Sequence, residues 1–220
     1  MMGVNFLLQI IPHLLKGAWV TIQLFSITLL VSMPLGLGVT FLYIGPSKIL
    51  SRITGFYIMV MRGTPLLLQL VFVYFGLPYV PYIGKYLILK PFTAASIAFI
   101  FNYAAYFAEI FRGGLLAVDP GQYEAAKVLG LSRWQTLYRI VLPQMFRVTL
   151  PSVSNEALIL VKDTALVAII ALTELLRTTM TIVNATSRVS PFIAAAVFYL
   201  IMSYVVNLVF KKLEDIFKYE

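Results

Sequence analysis

Cysteine is absent from the 220 residues, which excludes disulfides, thiolate zinc sites and thiol catalysis. Histidine occurs once, as His13. One imidazole and no thiolate leave no donor set for a transition metal, so no metal site is expected. Charge is scarce too, with Asp, Glu, Lys and Arg together at 12% against about 25% in soluble domains. The phosphate loop Gly-x-x-x-x-Gly-Lys-Ser/Thr does not occur, so the chain is not expected to hydrolyse a nucleotide itself. Gly36-x-Gly38 and Gly113-Gly114 follow no strand pattern, so they read as close helix packing or hinge points rather than a dinucleotide loop. Fixed short repeats, low-complexity tracts and linkers are also missing, which points to one domain over 1–220.

What fills the chain instead is apolar surface: 60% of residues are hydrophobic and the mean hydropathy is +0.91. This is the composition of a membrane protein. The net charge of +8 could suggest nucleic acid, but the basic residues fall between apolar runs, where membrane topology explains them. The N-terminus lacks the basic n-region of a cleavable signal peptide. Residues 4–16 place Leu7, Leu8, Ile11, Leu14 and Leu15 on one side, away from Gln9, His13 and Lys16. A short interfacial helix leading into the first span is expected there. The eight methionines are scattered and read as core filler.

About 20 mainly apolar residues cross roughly 30 Å of hydrocarbon. On that measure the fold class is all-α, a polytopic membrane protein with five transmembrane helices. Span one covers 18–43, with Pro34, Gly36 and Gly38 expected to bend it. Span two runs from Ile53 to Gly76, broken at Arg62-Gly63-Thr64-Pro65. Span three is Phe92–Leu116, and span four extends from Phe146 to about Leu176 in two pieces interrupted by Lys162-Asp163-Thr164. Span five is Ser190–Phe210. The loops after spans one and three and the C-terminal tail hold Lys48, Arg52, Arg112, Lys127, Arg133, Arg139, Arg147, Lys211, Lys212 and Lys218. The other side holds Lys16, Lys85, Lys90, Arg177 and Arg188. The positive-inside rule therefore puts the C-terminus and the 118–145 loop in the cytoplasm and the N-terminus outside. Tyr79, Tyr82 and Tyr86 then fall at the outer interface, which favours amphipathic rings.

Polar residues inside the apolar runs mark the candidate site. Pro65 needs no N–H partner at a helix start and Thr64 before it is a natural N-cap. A half-helix from Pro65 would aim the free N–H groups of Leu66, Leu67 and Leu68 into the membrane interior, an anion site suited to an α-carboxylate. The alternative is a plain proline kink. Glu156, Lys162 and Asp163 each cost about 2.5–3.5 kcal/mol at a helix centre, so they should face a wet interior. Glu156 and Asp163 are seven apart, on one helical face. Asp163 suits an α-ammonium or a cationic side chain. Lys162 suits a carboxylate or simply neutralises one of its neighbours. Arg62 and Lys162 balance the two carboxylates, as a zwitterion requires. Gln69 and Asn102 either belong to the same cavity or join helices by hydrogen bonds. Glu109 and Arg112, three apart, can pair toward the cytoplasmic end as a gate or structural element.

The run Glu124-Ala125-Ala126, with Gly130 four residues on and then Ile140-x-Leu142-Pro143, resembles the EAA loop of ABC importer permeases. Arg62-Gly63-Thr64-Pro65-Leu66-Leu67-Leu68-Gln69 resembles the signature of the polar amino acid branch of that family. Ala108-Glu109-x-x-Arg112-Gly113-Gly114 and Lys162-Asp163-Thr164 look like two more of its signatures, so the likeness runs from about residue 15 to the end. Glu156 and Asp163, both lying on the expected cavity face, give a lean to a basic substrate. The resemblance implies a type I importer permease in the bacterial inner membrane, carrying polar L-amino acids such as arginine, lysine, histidine or glutamine. It implies no enzymatic role for the chain: ATP and Mg would be bound by separate ATPase subunits that dock on residues 121–135. Glu124, Ala125, Ala126, Gly130 and Leu131 would form the contact. In that loop, Gln122–Leu129 reads as two helical turns, Gly130 as their C-terminal position, and Ser132 as the cap of a second helix stopped by Pro143. Five spans are too few to enclose a path with two alternately open ends, so a second permease copy or a homologous permease is expected, with the lipid bilayer as solvent and no nucleic acid; the resemblance adds an extracytoplasmic substrate-binding protein. A stand-alone proton-coupled transporter with Glu156 and Asp163 as its relay is the rival reading, and it leaves the 124–143 pattern unexplained.

Overall fold

The computed structural model describes residues 2–217, and every regular element among them is helical. Lys218, counted above on the inner side, lies outside the described residues. The helices are α1 (Met2–Ile44), α2 (Lys48–Gly63), α3 (Leu66–Val71), α4 (Pro91–Leu116), α5 (Pro120–Val128), α6 (Arg133–Thr136), α7 (Leu142–Asp163), α8 (Leu175–Thr186) and α9 (Ser190–Phe217).

Among the described residues, three helices are long and apolar enough to cross a membrane: Phe6–Ile44, Pro91–Leu116 and Ser190–Phe217. The pair Lys48–Gly63 and Leu66–Tyr79 makes a fourth if its bend of 104° is counted within one span. The break at residues 62–65 is therefore present, but as a sharp corner rather than a kink. The helical part of the expected fourth span, α7, is not among these membrane-crossing helices: it is polar for its length, with Arg147, Glu156, Lys162 and Asp163 in 22 residues, and the chain leaves the α-helix at Thr164 for a tighter 3-10 turn over Thr164–Ile170. The separate interfacial helix at 4–16 is not formed. Instead α1 is continuous over 43 residues, about 65 Å at 1.5 Å per residue. Nothing in Lys16-Gly17-Ala18 caps or breaks a helix. Gly17 also lies so close to α8 that a Cβ would meet Thr178 Oγ1 at 2.7 Å and the Glu174 carbonyl at 3.0 Å.

Helix α4 is the centre of the packing. Phe99, Tyr103, Phe107 and Phe111 recur every four residues, are all buried, and line up with ring centroids 6.1–6.5 Å apart. Its other faces are alanine: Ala94, Ala95, Ala98, Ala104, Ala105 and Ala108 are buried. Lipid supplies no hydrophobic force between helices, so small residues that admit a neighbouring backbone hold them together. A Cβ on Gly36 of α1 would lie 2.7 Å from Phe107 Cβ and 2.9 Å from the Ala104 carbonyl, and Thr40 Oγ1 donates to the Ala108 carbonyl at 2.9 Å. These contacts advance together, so α1 and α4 run parallel. Gly38, by contrast, faces open space.

Helix α7 runs the other way: its Asp163 end meets Tyr103, whereas Met145 and Thr149 pack on Gly114. Helix α9 follows α1, with Ala195 among Ile10, Leu14 and Ala18, and residues 201–210 lining a groove beside 21–29. Lys48, the first residue of α2, and Lys127 in α5 thus share an end of the bundle with Lys211 and Lys212 of α9.

Candidate functional site: a polar cavity beside a broken helix

The corner between α2 and α3 opens onto a cavity of about 600 Å³. Arg62, Gly63, Thr64, Pro65, Leu66 and Leu67 form one wall, Asn102, Tyr103 and Tyr106 of α4 a second, and Glu156, Ile159 and Asp163 of α7, with Leu166, a third. Glu156 and Asp163 therefore share the cavity face, as two residues seven apart on one helix should. Lys162, adjacent in sequence, is exposed outside the cavity lining, and no ion pair joins it to either carboxylate among the described residues. The charged groups of the lining are one cation, Arg62, against two carboxylates.

Thr64 is placed differently from the N-cap expected of it. Its N–H donates to the Val60 carbonyl at 3.1 Å and its hydroxyl to the same carbonyl at 2.8 Å, so it closes α2. Pro65 holds the N-cap position of α3, with φ −62° and ψ 133°. The first N–H groups of α3 have no intrahelical acceptor, and Leu66 and Leu67 are in the cavity wall. Leu68 is 58% exposed and outside the lining. Gln69 is also outside it, bonded instead to Thr64 and Met61.

Arg62 is held from the α4 side. Its guanidinium lies over the Tyr106 ring at 5.4 Å and 3.8 Å from Glu109. Glu109 in turn accepts a close bond from Arg112 Nη2 at 2.8 Å and a second from Nε at 3.2 Å. The expected Glu109–Arg112 pair is thus formed, and it backs the cavity's cation without lining the cavity itself. Two lining tyrosines escaped the sequence reading. Tyr103 is 2% exposed and donates to Asp163 Oδ2 at 2.8 Å. Their spacing to Asn102 and Glu109 on one helix was the available signal.

A third carboxylate, Glu174, carries no signal in the sequence pattern. It is fully buried and caps α8, accepting from the N–H groups of Leu176 and Arg177 at 2.7 Å and from the Tyr199 hydroxyl at 3.0 Å. It lies away from the cavity and fixes α8 between α1 and α9.

The 118–145 loop forms two capped helices. Asp119 accepts from Gly121 N at 2.6 Å to start α5. Gly130, with φ +71°, ends it: Leu131 N donates to the Ala126 carbonyl and Gly130 N to the Lys127 carbonyl, both at 3.0 Å, the two bonds of a Schellman turn. Ser132 and Gln135 make a reciprocal capping box for α6. Pro143, where the sequence pattern places the end of the second helix, does not stop it. A π-turn at Leu137–Val141, in which Leu142 N reaches the Leu137 carbonyl, carries the chain into α7. The wider turn gives room for a ring that lacks an N–H and would clash with the preceding turn. Ala126 is buried inside the chain, whereas Glu124, Ala125 and Gly130 are exposed. Val128, Leu129 and Trp134 stand 87%, 75% and 69% exposed beside them.

The described residues thus form a bundle of apolar helices around a cavity with opposed charges, with exposed apolar side chains on the α5–α6 loop at one end. The family described as binding-protein-dependent transport system inner membrane component matches residues 32–217. The glutamine transport system permease protein GlnP of Escherichia coli (strain K12) is 37% identical over 205 residues, 93% of this chain and 92% of that protein. The arginine transport system permease protein ArtQ of Bacillus subtilis (strain 168) is 34% identical over 205 residues, with the same two coverages. A crystal structure of an amino acid ABC transporter with histidines superposes with a TM-score of 0.86 at 31% identity, covering 96% of this chain and 97% of that one. The inward-facing MetNI methionine ABC transporter shares the fold at a TM-score of 0.81 and 17% identity. The chain belongs to this family: it is the inner-membrane permease component of a binding-protein-dependent ABC importer, not a catalytic subunit. GlnP and ArtQ, each matched over 93% of this chain, are by their names permeases for glutamine and for arginine.

Proposed function

We propose that this permease carries polar L-amino acids inward and favours those with a cationic side chain. The observation that carries this reading is the charge of the cavity lining: Arg62 stands alone against Glu156 and Asp163, with Lys162 outside. A zwitterion satisfies one cation and one anion, and the surplus carboxylate suits a second positive charge. The substrate carboxylate would rest on Arg62 and the N–H groups of Leu66 and Leu67. Its α-ammonium and side-chain cation would face Asp163 and Glu156. Arginine, lysine and histidine fit best, and glutamine is the neutral competitor.

The polypeptide crosses the membrane five times, with α7 as the span whose charges face the cavity, the N-terminus outside and the C-terminus in the cytoplasm. The direction of the packed helices and the excess of Lys and Arg at the α5–α6 end support that topology. Five spans do not enclose a path with two alternating openings, so a second copy or a homologous permease completes it. An extracytoplasmic binding protein delivers the amino acid. ATPase subunits, which hold ATP and Mg, grip residues 121–135, where Glu124 and Ala125 adjoin the exposed Val128, Leu129 and Trp134. Their closure on ATP would drive the α5 levers together and open the outer side, provided the ATP-bound ATPase pair favours one state over the other. A permease that depends on a binding protein leaves the proton-driven, stand-alone reading without support.

The test is a competition panel on the complete complex in proteoliposomes. Arginine, lysine and histidine should compete for uptake at lower concentrations than glutamine, and aspartate should not compete. Equal competition by aspartate would overturn the cavity assignment.

A further inference from the structure

We propose that Gln69 and Asn102 are positioning residues: together they take over a backbone carbonyl that Pro65 leaves without a partner, and so hold the corner of the broken helix. In an uninterrupted helix the Met61 carbonyl would accept from the N–H four residues on, but that residue is Pro65, which has none. Inside a membrane an unpaired carbonyl is not rescued by bulk water. Both amides converge on it: Gln69 Nε2 and Asn102 Nδ2 each lie 3.0 Å from the Met61 oxygen. They are also bonded to each other, with Asn102 Nδ2 donating to Gln69 Oε1 at 3.1 Å. Gln69 Nε2 gives its other hydrogen to Thr64, whose hydroxyl oxygen is 2.7 Å away.

Counting hydrogens limits what these amides can donate. A carboxamide nitrogen carries two. Those of Asn102 go to Met61 and Gln69, and those of Gln69 go to Met61 and Thr64. Neither amide has a donor left for a substrate carboxylate, although Asn102 borders the cavity. Their work is geometric. Gln69 belongs to α3 and Met61 to α2, so one side chain bridges the two arms of the 104° corner, and Asn102 fastens that corner to α4. The Tyr57 hydroxyl adds a second tie, donating to the Phe101 carbonyl at 2.5 Å one residue before Asn102. The position of Leu66, Leu67 and Arg62 in the cavity wall follows from this clamp. The amino acid reading of the cavity supplies its functional consequence, but the clamp is testable without it.

The absence of cysteine from this chain allows a pair of spin labels at Ile49→Cys and Tyr79→Cys, both highly exposed and on opposite arms, in the full complex assembled with partner subunits freed of reactive cysteine. The unmodified corner should give one narrow distance distribution. Gln69→Met and Asn102→Leu should each broaden it, and the double variant should be no worse than the worse single, because both amides serve one carbonyl. Uptake should then fall several-fold with the order of preference among arginine, lysine, histidine and glutamine unchanged. A narrow, unshifted distribution in the double variant would overturn the clamp. So would a changed preference order with the distribution intact, which would make the amides substrate ligands. If the unsubstituted complex moved no amino acid at all, the distance measurement would still decide the clamp while the transport reading failed.

Discussion

Tyr103 donates its phenolic hydrogen to Asp163 Oδ2 over 2.8 Å, joining the aromatic row of α4 to the cavity wall formed by α7. A buried hydroxyl on a carboxylate fixes the orientation in which that carboxylate meets a cation. Hydrogen bonds to charged groups contribute about 1.5–3 kcal/mol, so Tyr103→Phe should raise the half-saturating concentration of a cationic amino acid by roughly tenfold or more. Concentration-dependent uptake by the reconstituted complex measures it. Unchanged affinity would detach Tyr103 from the site.

Substituting the surplus charge should redirect specificity. With Glu156→Gln and Asp163→Asn together, the lining keeps Arg62 as its sole charge, so arginine uptake should fall far more than glutamine uptake. The ratio of the two in a competition assay is the readout. Parallel losses for both amino acids would place the carboxylates outside substrate recognition.

Gly130 has φ +71° and nothing within 4 Å of the place a Cβ would occupy, so a substitution there meets backbone strain rather than a clash. Gly130→Ala should destabilise the α5 turn by about 1 kcal/mol and weaken stimulation of the ATPase by substrate-loaded binding protein. Gly130→Asn, which tolerates the left-handed region better, should retain more. Steady-state ATPase assays on the membrane-inserted complex compare the two, and equal activity of all three proteins would remove the turn from coupling.

The adjacent glycines 113 and 114 supply their own control. A Cβ on Gly114 collides with Thr149 Cγ2 and comes within 2.9 Å of Met145, whereas Gly113 faces open space. Gly114→Ala should lower the unfolding temperature in detergent, because the α4–α7 contact must part. Gly113→Ala should be neutral or stabilise slightly, since alanine is the better helix former. The reverse order would show that α4 and α7 are not packed in this way.

Much of this was legible in the sequence because a few residues have narrow options. Pro65 after Thr64 in an apolar run allows little but a break, and Gly130 after two helical turns allows little but a left-handed cap. The side of α7 that carries Glu156 and Asp163 followed from helical spacing. What spacing could not give was the outcome of competition between helices. Lys162 is one residue from Asp163, and only the packing of α7 on α4 shows that it lies outside the cavity. Pro143 reads as a stop because a regular helix excludes it, yet a π-turn admits it at small local cost. Glu174 lies at the end of an apolar stretch, and its burial depends on Tyr199, which is 25 residues away. Thr64 caps the helix before it rather than the one after, since its hydroxyl reaches the Val60 carbonyl first.

The central claim is that ATP hydrolysed by a separate subunit drives amino acid movement through this permease. Its most direct measurement is uptake of radiolabelled arginine into proteoliposomes holding the permease with its ATPase and binding protein, with ATP enclosed or withheld. The account predicts accumulation only with ATP, and none when the ATPase subunits are left out. Equal accumulation by the permease alone would contradict it.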